Sequence, residues 1–188
     1  AGVQRGQRVA LLQMNSIEFI ESFMAIAKIG AICVPLNWRL VADELEFILA
    51  DSGTTSLIFG EEFLDTVTDL QARPKLRGDG KDATKLDTYF QVGGTPAAFA
   101  EDYIAACGAV SQAEPEIGAS DGDNLYIMYT SGTTGLPRGV VHTHDTALWG
   151  SLTMITTAEL RLADRYISAL PLFHVGALTP VTGNIHRG

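Results

Sequence analysis

The chain has 188 residues, a net charge of −9 and 46% hydrophobic side chains. That length carries one domain with a sizeable core, burying roughly 70% of its unfolded surface, and the acidic balance excludes the broad basic face that a nucleic-acid partner requires. Cys33 and Cys107 fit neither a disulfide framework nor metal-ligand spacing, and both are expected to be free and buried; no apolar stretch reaches about 18 residues without a charge and no signal peptide opens the chain, so a cytoplasmic location is expected.

Arg8 to Met14 reads as a buried strand. Asn15 follows as a helix N-cap, with Glu18 three residues on as a variant capping box. The helix runs to about Ile29, with Ile20, Phe23, Met24 and Ala27 on one face and Gly30 at the stop. Ala31 to Leu36 is a second strand, so the opening unit is strand, helix, strand, which demands a right-handed crossover and a parallel pair. Val41 to Asp51 predicts a helix with Leu45, Ile48 and Leu49 inward and its acids on a solvated face, closed by Ser52-Gly53. A strand at Ser56 to Gly60 and a helix over Glu61 to Ala72 come next.

Residues 73 to 96 read as an exposed loop around Gly78 and Gly80 with a short strand at Tyr89 to Val92. Ala98 to Cys107 predicts a helix with Phe99, Tyr103 and Ala106 on one side, and Ser111 to Asn124 a polar connector. Leu125 to Tyr129 is a continuous apolar run, as in a strand buried on both faces. After Tyr129 to Gly139 (YTSGTTGLPRG), the β-branched stretch Gly139 to His142 reads as a strand. Thr143 caps a helix through about Thr157 with Leu148, Leu152 and Ile155 inward. A strand is expected at Tyr166 to Leu170. This alternation predicts an α/β fold with a mostly parallel sheet flanked by helices, whose ligands gather at the carboxyl ends of strands.

The loop between the two strands is the most specialised stretch of the chain. It packs four short hydroxyl side chains (Thr130, Ser131, Thr133, Thr134), glycines at 132, 135 and 139, a proline and Arg138 into eleven residues. Glycines let the backbone approach a ligand closely, successive N–H groups make an anion-binding concavity, and the hydroxyls add rotatable donors. A Gly/Ser/Thr linker has a similar composition, but the strands on both sides hold this loop in place. A Walker A motif is excluded, because no glycine here is followed by lysine.

The loop resembles the phosphate-binding signature of the adenylate-forming (AMP-binding) superfamily, Tyr-Thr-Ser-Gly-Thr/Ser-Thr-Gly-x-Pro-Lys-Gly, and departs from it only at Arg138, where the usual residue is lysine. Charge is kept, but a planar fork replaces a compact ammonium. Pro171 to Leu178 (PLFHVGAL) resembles a second segment of the same superfamily, in the right order. The wording of both, and of residues 8 to 37, is most similar to the fatty acyl-CoA synthetase branch. The resemblance implies that residues 1–188 are an incomplete portion of the large N-terminal domain, to which the absence of an initiator Met and of a C-terminal cap is expected to correspond.

The activity implied is that of an ATP-dependent, AMP-forming fatty-acid–CoA ligase. A fatty acid and ATP give an acyl-adenylate, which coenzyme A then converts to a thioester; Mg²⁺ is implied as the polyphosphate's counter-ion. Thr130, Ser131, Gly132, Thr133, Thr134, Gly135 and Arg138 are the implied phosphate-binding residues, and His174 is implied to position or gate the acyl carboxylate. Phe173 and Val175 are candidates for the acyl pocket. The implied partners are small molecules only, with peripheral membrane association of the parent left open. Elements of the family that carry the adenine, ribose and magnesium contacts and the C-terminal lysine are not found in this sequence. An aryl-CoA ligase, an amino-acid adenylation domain and a non-catalytic nucleotide-binding module remain alternatives. His142, His144, His174 and His186 lack carboxylate or cysteine partners at ligand spacing, so no metal site is expected; His142 and His144 should share one face of a strand end.

Overall fold

The computed structural model describes residues 2–73, 84–130 and 135–188. The elements in order are β1 (Arg8–Leu12), α1 (Ile17–Lys28), β2 (Ile32–Pro35), α2 (Ala42–Ser52), β3 (Ser56–Gly60), a 3₁₀ turn (Glu61–Phe63) leading into α3 (Leu64–Ala72), β4 (Thr88–Val92), β5 (Glu101–Asp102), α4 (Tyr103–Gly108), β6 (Asn124–Thr130), β7 (Arg138–Thr143), α5 (His144–Thr157) and α6 (Val175–Arg187). The strands form a seven-stranded sheet in the order β5-β4-β3-β1-β2-β6-β7. All neighbours are parallel except the β6–β7 hairpin. The exposed loop expected around Gly78 and Gly80 lies outside the described residues.

Strand alternation divides the core in two. Val9, Leu11, Cys33 and Ile58 point to one face, where they meet Phe19, Phe23 and Ile26 of α1 and Ala177, Leu178 and Val181 of α6. Ala10, Leu12, Val34, Leu57 and Phe59 point to the other, against Leu45, Ile48 and Leu49 of α2 and Val67 and Leu70 of α3. Strands covered on both faces need apolar residues at every position, which is why these runs do not alternate with polar ones. Gly53 closes α2 in the left-handed conformation at φ 63°, as the Ser52-Gly53 ending predicts.

The structure corrects several local expectations. Ser16, not Asn15, caps α1, its hydroxyl accepting from the Phe19 N–H at 3.0 Å. The fully buried face of that helix is accordingly centred on Phe19, Phe23 and Ile26, with Ile20, Met24 and Ala27 packed at its margin. The helix expected from Ala98 begins at Tyr103 because Asp102 caps it through the Ala105 N–H at 2.7 Å. Phe99 precedes it and stacks on Phe59. In this short helix only Tyr103 is buried, so Cys107 is exposed whereas Cys33 is buried. The acids of α2 are not all solvated: Glu46 is buried and accepts from Arg73 at 2.8 Å. Helix α5 buries only Ser151, leaving Leu148 and Trp149 exposed. Residues 166 to 170 form no strand, and α6, with Pro180 inside it, was not foreseen.

Candidate functional site

The β6–β7 hairpin brings the specialised loop to a defined place. β6 runs parallel to β2 with Tyr126 opposite Cys33, so both strands deliver their carboxyl ends to the same side of the sheet. Thr130, the last residue of β6, pairs with Arg138, the first of β7. The two roots of the loop are therefore hydrogen-bonded strands. Between them Gly135 has φ 108° with open space where a Cβ would stand, a backbone conformation that favours glycine. Ser131, Gly132, Thr133 and Thr134 lie outside the described residues.

A cavity of about 610 Å³ opens at this end of the sheet. Its wall combines Thr130, Gly135, Leu136 and Pro137 with Pro35 at the end of β2, Asn37 and Leu40 just after it, Phe47 and Ile48 of α2, and Phe173 and His174. Two sequence motifs some forty residues apart thus share one space. Phe173 is buried and stands edge-on to Trp38, with ring centroids 6.0 Å apart; the His174 ring lies 4.3 Å from it. His174 is the N-cap residue of α6, the end at which a helix favours a negative charge. Val175 points elsewhere: it lines a second cavity of about 440 Å³ and is 48% exposed.

Two carboxylates also face the first cavity, and both are engaged. Asp43 pairs with Arg73 at 2.7 Å, and Glu44 accepts from the Val41 N–H at 3.1 Å. Their negative charge is thus partly compensated beside the loop expected to bind an anion. The second cavity gathers His142, His144 and His186. His142 stacks on Tyr126 at 4.6 Å, the Nδ1 of His186 lies 3.3 Å from the Ser151 hydroxyl, and burial pushes the His144 imidazole down.

Sequence reasoning missed Asn15, whose role is tertiary. Its amide donates to the Leu170 and Ser168 carbonyls at 2.8 and 3.4 Å, and its Oδ1 accepts from the Leu172 N–H at 2.9 Å. These contacts hold the segment entering Phe173 and His174, and they satisfy backbone groups that a strand there would have paired. Asn15→Ala leaves the part-buried Leu172 N–H without its acceptor and should lower stability by about 1–3 kcal/mol. Chemical denaturation checks this; a midpoint equal to that of the unsubstituted protein contradicts it.

Comparison with known proteins bears on this geometry. The family described as AMP-binding enzyme matches residues 1–188. The chain is 40% identical over 187 residues to the long-chain-fatty-acid–CoA ligase FadD13 of Mycobacterium tuberculosis, covering 100% of this chain and 34% of that protein. It is 35% identical over 178 residues to a feruloyl-CoA synthase of an Amycolatopsis species, covering 95% of this chain and 31% of the relative. The N-terminal domain of FACL13 from Mycobacterium tuberculosis, solved with an inhibitor, superposes with a TM-score of 0.86 at 38% identity, over 100% of this chain and 44% of that one. The chain therefore spans about a third of the length of the curated relatives it matches.

Proposed function

Because the chain belongs to the AMP-binding enzyme family, we propose that it is part of a fatty-acid–CoA ligase that works through an acyl-adenylate. Residues 1–188 are read as a portion of the large N-terminal domain, a reading supported by full coverage of this chain on a solved N-terminal domain. The observation that carries the proposal is the cavity whose wall joins Thr130 and Gly135 of the loop to Phe173 and His174.

In the first step a carboxylate oxygen attacks the α-phosphorus of ATP; the new P–O bond forms as pyrophosphate leaves. Two anions must meet, so fixed donors and cations have to hold the β and γ phosphates in line. Thr130, Ser131, Gly132, Thr133, Thr134, Gly135 and Arg138 are assigned to that task. Mg²⁺ is assigned to the same polyphosphate as its counter-ion. His174, at the positive end of α6, is assigned to position the acyl carboxylate, and Phe173 to bound its apolar side. In the second step the thiol of coenzyme A attacks the acyl carbon and AMP leaves.

An aromatic carboxylate is the second reading, favoured by the 35% identity to a feruloyl-CoA synthase. A cytoplasmic setting, where ATP and coenzyme A are at hand, belongs to the same proposal; no helix of the described residues is long and apolar enough to cross a membrane. The test uses the full-length protein carrying these residues. With ATP, Mg²⁺ and a panel of fatty and aryl acids it should release AMP and pyrophosphate and exchange labelled pyrophosphate into ATP. Formation of ADP and phosphate, with no acyl-adenylate, would overturn the proposal.

A further inference from the structure

We propose that Asp51 is a positioning residue for the phosphate loop: its carboxylate, on the last turn of α2, holds the Tyr129 hydroxyl and fixes the strand end that enters the loop. This deepens the functional reading above and rests on it. The Tyr129 hydroxyl donates to Asp51 Oδ2 at 2.5 Å, joining residues 78 positions apart. Tyr129 lines the phosphate-side cavity and directly precedes Thr130, so the ring's anchorage sets where the loop begins.

Two further features of the chain agree with this contact. Asp51 stands where the helix dipole disfavours an acid, and no basic residue occupies that last turn. The helix end does not need it: Arg8 Nε already donates to the Ser52 carbonyl at 2.7 Å. A residue that breaks a local rule without a local gain points to a role elsewhere. Second, Gly139 lies directly opposite Tyr129 in the hairpin. A Cβ there would stand 2.8 Å from Ile127 Cγ2 and 3.1 Å from Tyr129 Cζ, so glycine is what lets the tyrosine ring lie across its partner strand toward α2. Burial, seconded by the Asp51 carboxylate, pushes the phenol well above its ordinary value, in keeping with a hydroxyl that donates to that carboxylate.

The experiment uses the full-length protein and separates the two half-reactions. Asp51→Ala and Tyr129→Phe should each lower kcat/KM for ATP in adenylate formation by about 5- to 10-fold, mainly through KM, the size of one charge-assisted hydrogen bond at a partly exposed site. The double variant should be no worse than either single one, because one contact is lost in all three. Thioester formation from supplied acyl-adenylate should stay within about 2-fold, since that step no longer needs the polyphosphate grip. Asp51→Asn, whose amide oxygen still accepts, should recover most of the loss. Unchanged kcat/KM in either single variant, multiplying effects in the double, or equal loss in both half-reactions would each overturn the assignment. Hydrogen–deuterium exchange of the peptide spanning residues 124–138, without nucleotide, reads the tether apart from activity: it should quicken in both single variants. If the unsubstituted protein makes no adenylate, the functional reading fails, while unchanged exchange in the variants is the result that sinks the tether itself.

Discussion

Arg138→Ala, in the full-length protein, is expected to slow acyl-adenylate formation by about 10² to 10³, the loss typical of removing one group aimed at developing charge. Arg138 opens β7 and pairs with Thr130 at the mouth of the loop, so its side chain starts from a strand rather than from the loop itself. The effect should fall on the first half-reaction: preformed acyl-adenylate should restore thioester formation to near the unsubstituted rate. Arg138→Lys, which keeps the charge and supplies the residue usual in this signature, should be tolerated. Equal losses for the lysine and alanine variants, or no rescue by acyl-adenylate, would place Arg138 outside the phosphate site.

The second large effect concerns stability. Phe59 is completely buried on the face of the sheet covered by α2 and α3. It stacks on Phe99, centroids 6.4 Å apart, which in turn meets Tyr89 edge-on at 5.3 Å. Phe59→Ala removes the fully buried member of this trio and leaves a cavity against β3, at a cost of about 3–5 kcal/mol. Against a total of roughly 5–15 kcal/mol for a typical domain, that is enough to unfold a large fraction of molecules near physiological temperature. Phe99→Ala should cost less, because that residue is only partly buried, and the two losses should not add, because the rings touch. Thermal unfolding of the three variants decides this; additive shifts would mean that the stack carries no mutual stabilisation.

How much of this was legible beforehand follows from the range of the signals. The opening strand–helix–strand unit, β3, β6 and β7 are written in neighbouring residues, and each appears within a few residues of its expected place. The hydroxyl- and glycine-rich loop could be seen because glycine and hydroxyl chemistry is local. What escaped is tertiary. Asn15 has the position of a cap because it precedes an amphipathic run; one residue later Ser16 does that work, and Asn15 is released to hold a segment more than 150 residues away. The apolar stretch at Tyr166 to Leu170 has the pattern of a strand, yet two of its carbonyls accept from the Asn15 amide instead. Helix α6 was invisible because glycine, threonine and Pro180 disfavour helix locally; burial of Ala177, Leu178 and Val181 overrides that preference. The Asp51–Tyr129 contact had no signal within either neighbourhood, since it depends on α2 and β6 being brought together.

The two borders of the sheet are unequal, and this gives it a direction of growth. On one side β5 has only two residues, Glu101 and Asp102, too few and too charged to template another strand. On the other, β7 has six residues, with Val140 and Val141 44% and 50% exposed. A strand recruited to this sheet, from farther along the same polypeptide or from a neighbouring molecule, would therefore add beside β7. The flank that carries Arg138 is also the flank open to extension, so whatever docks there would become a neighbour of the glycine-rich loop, while the β5 flank would stay closed.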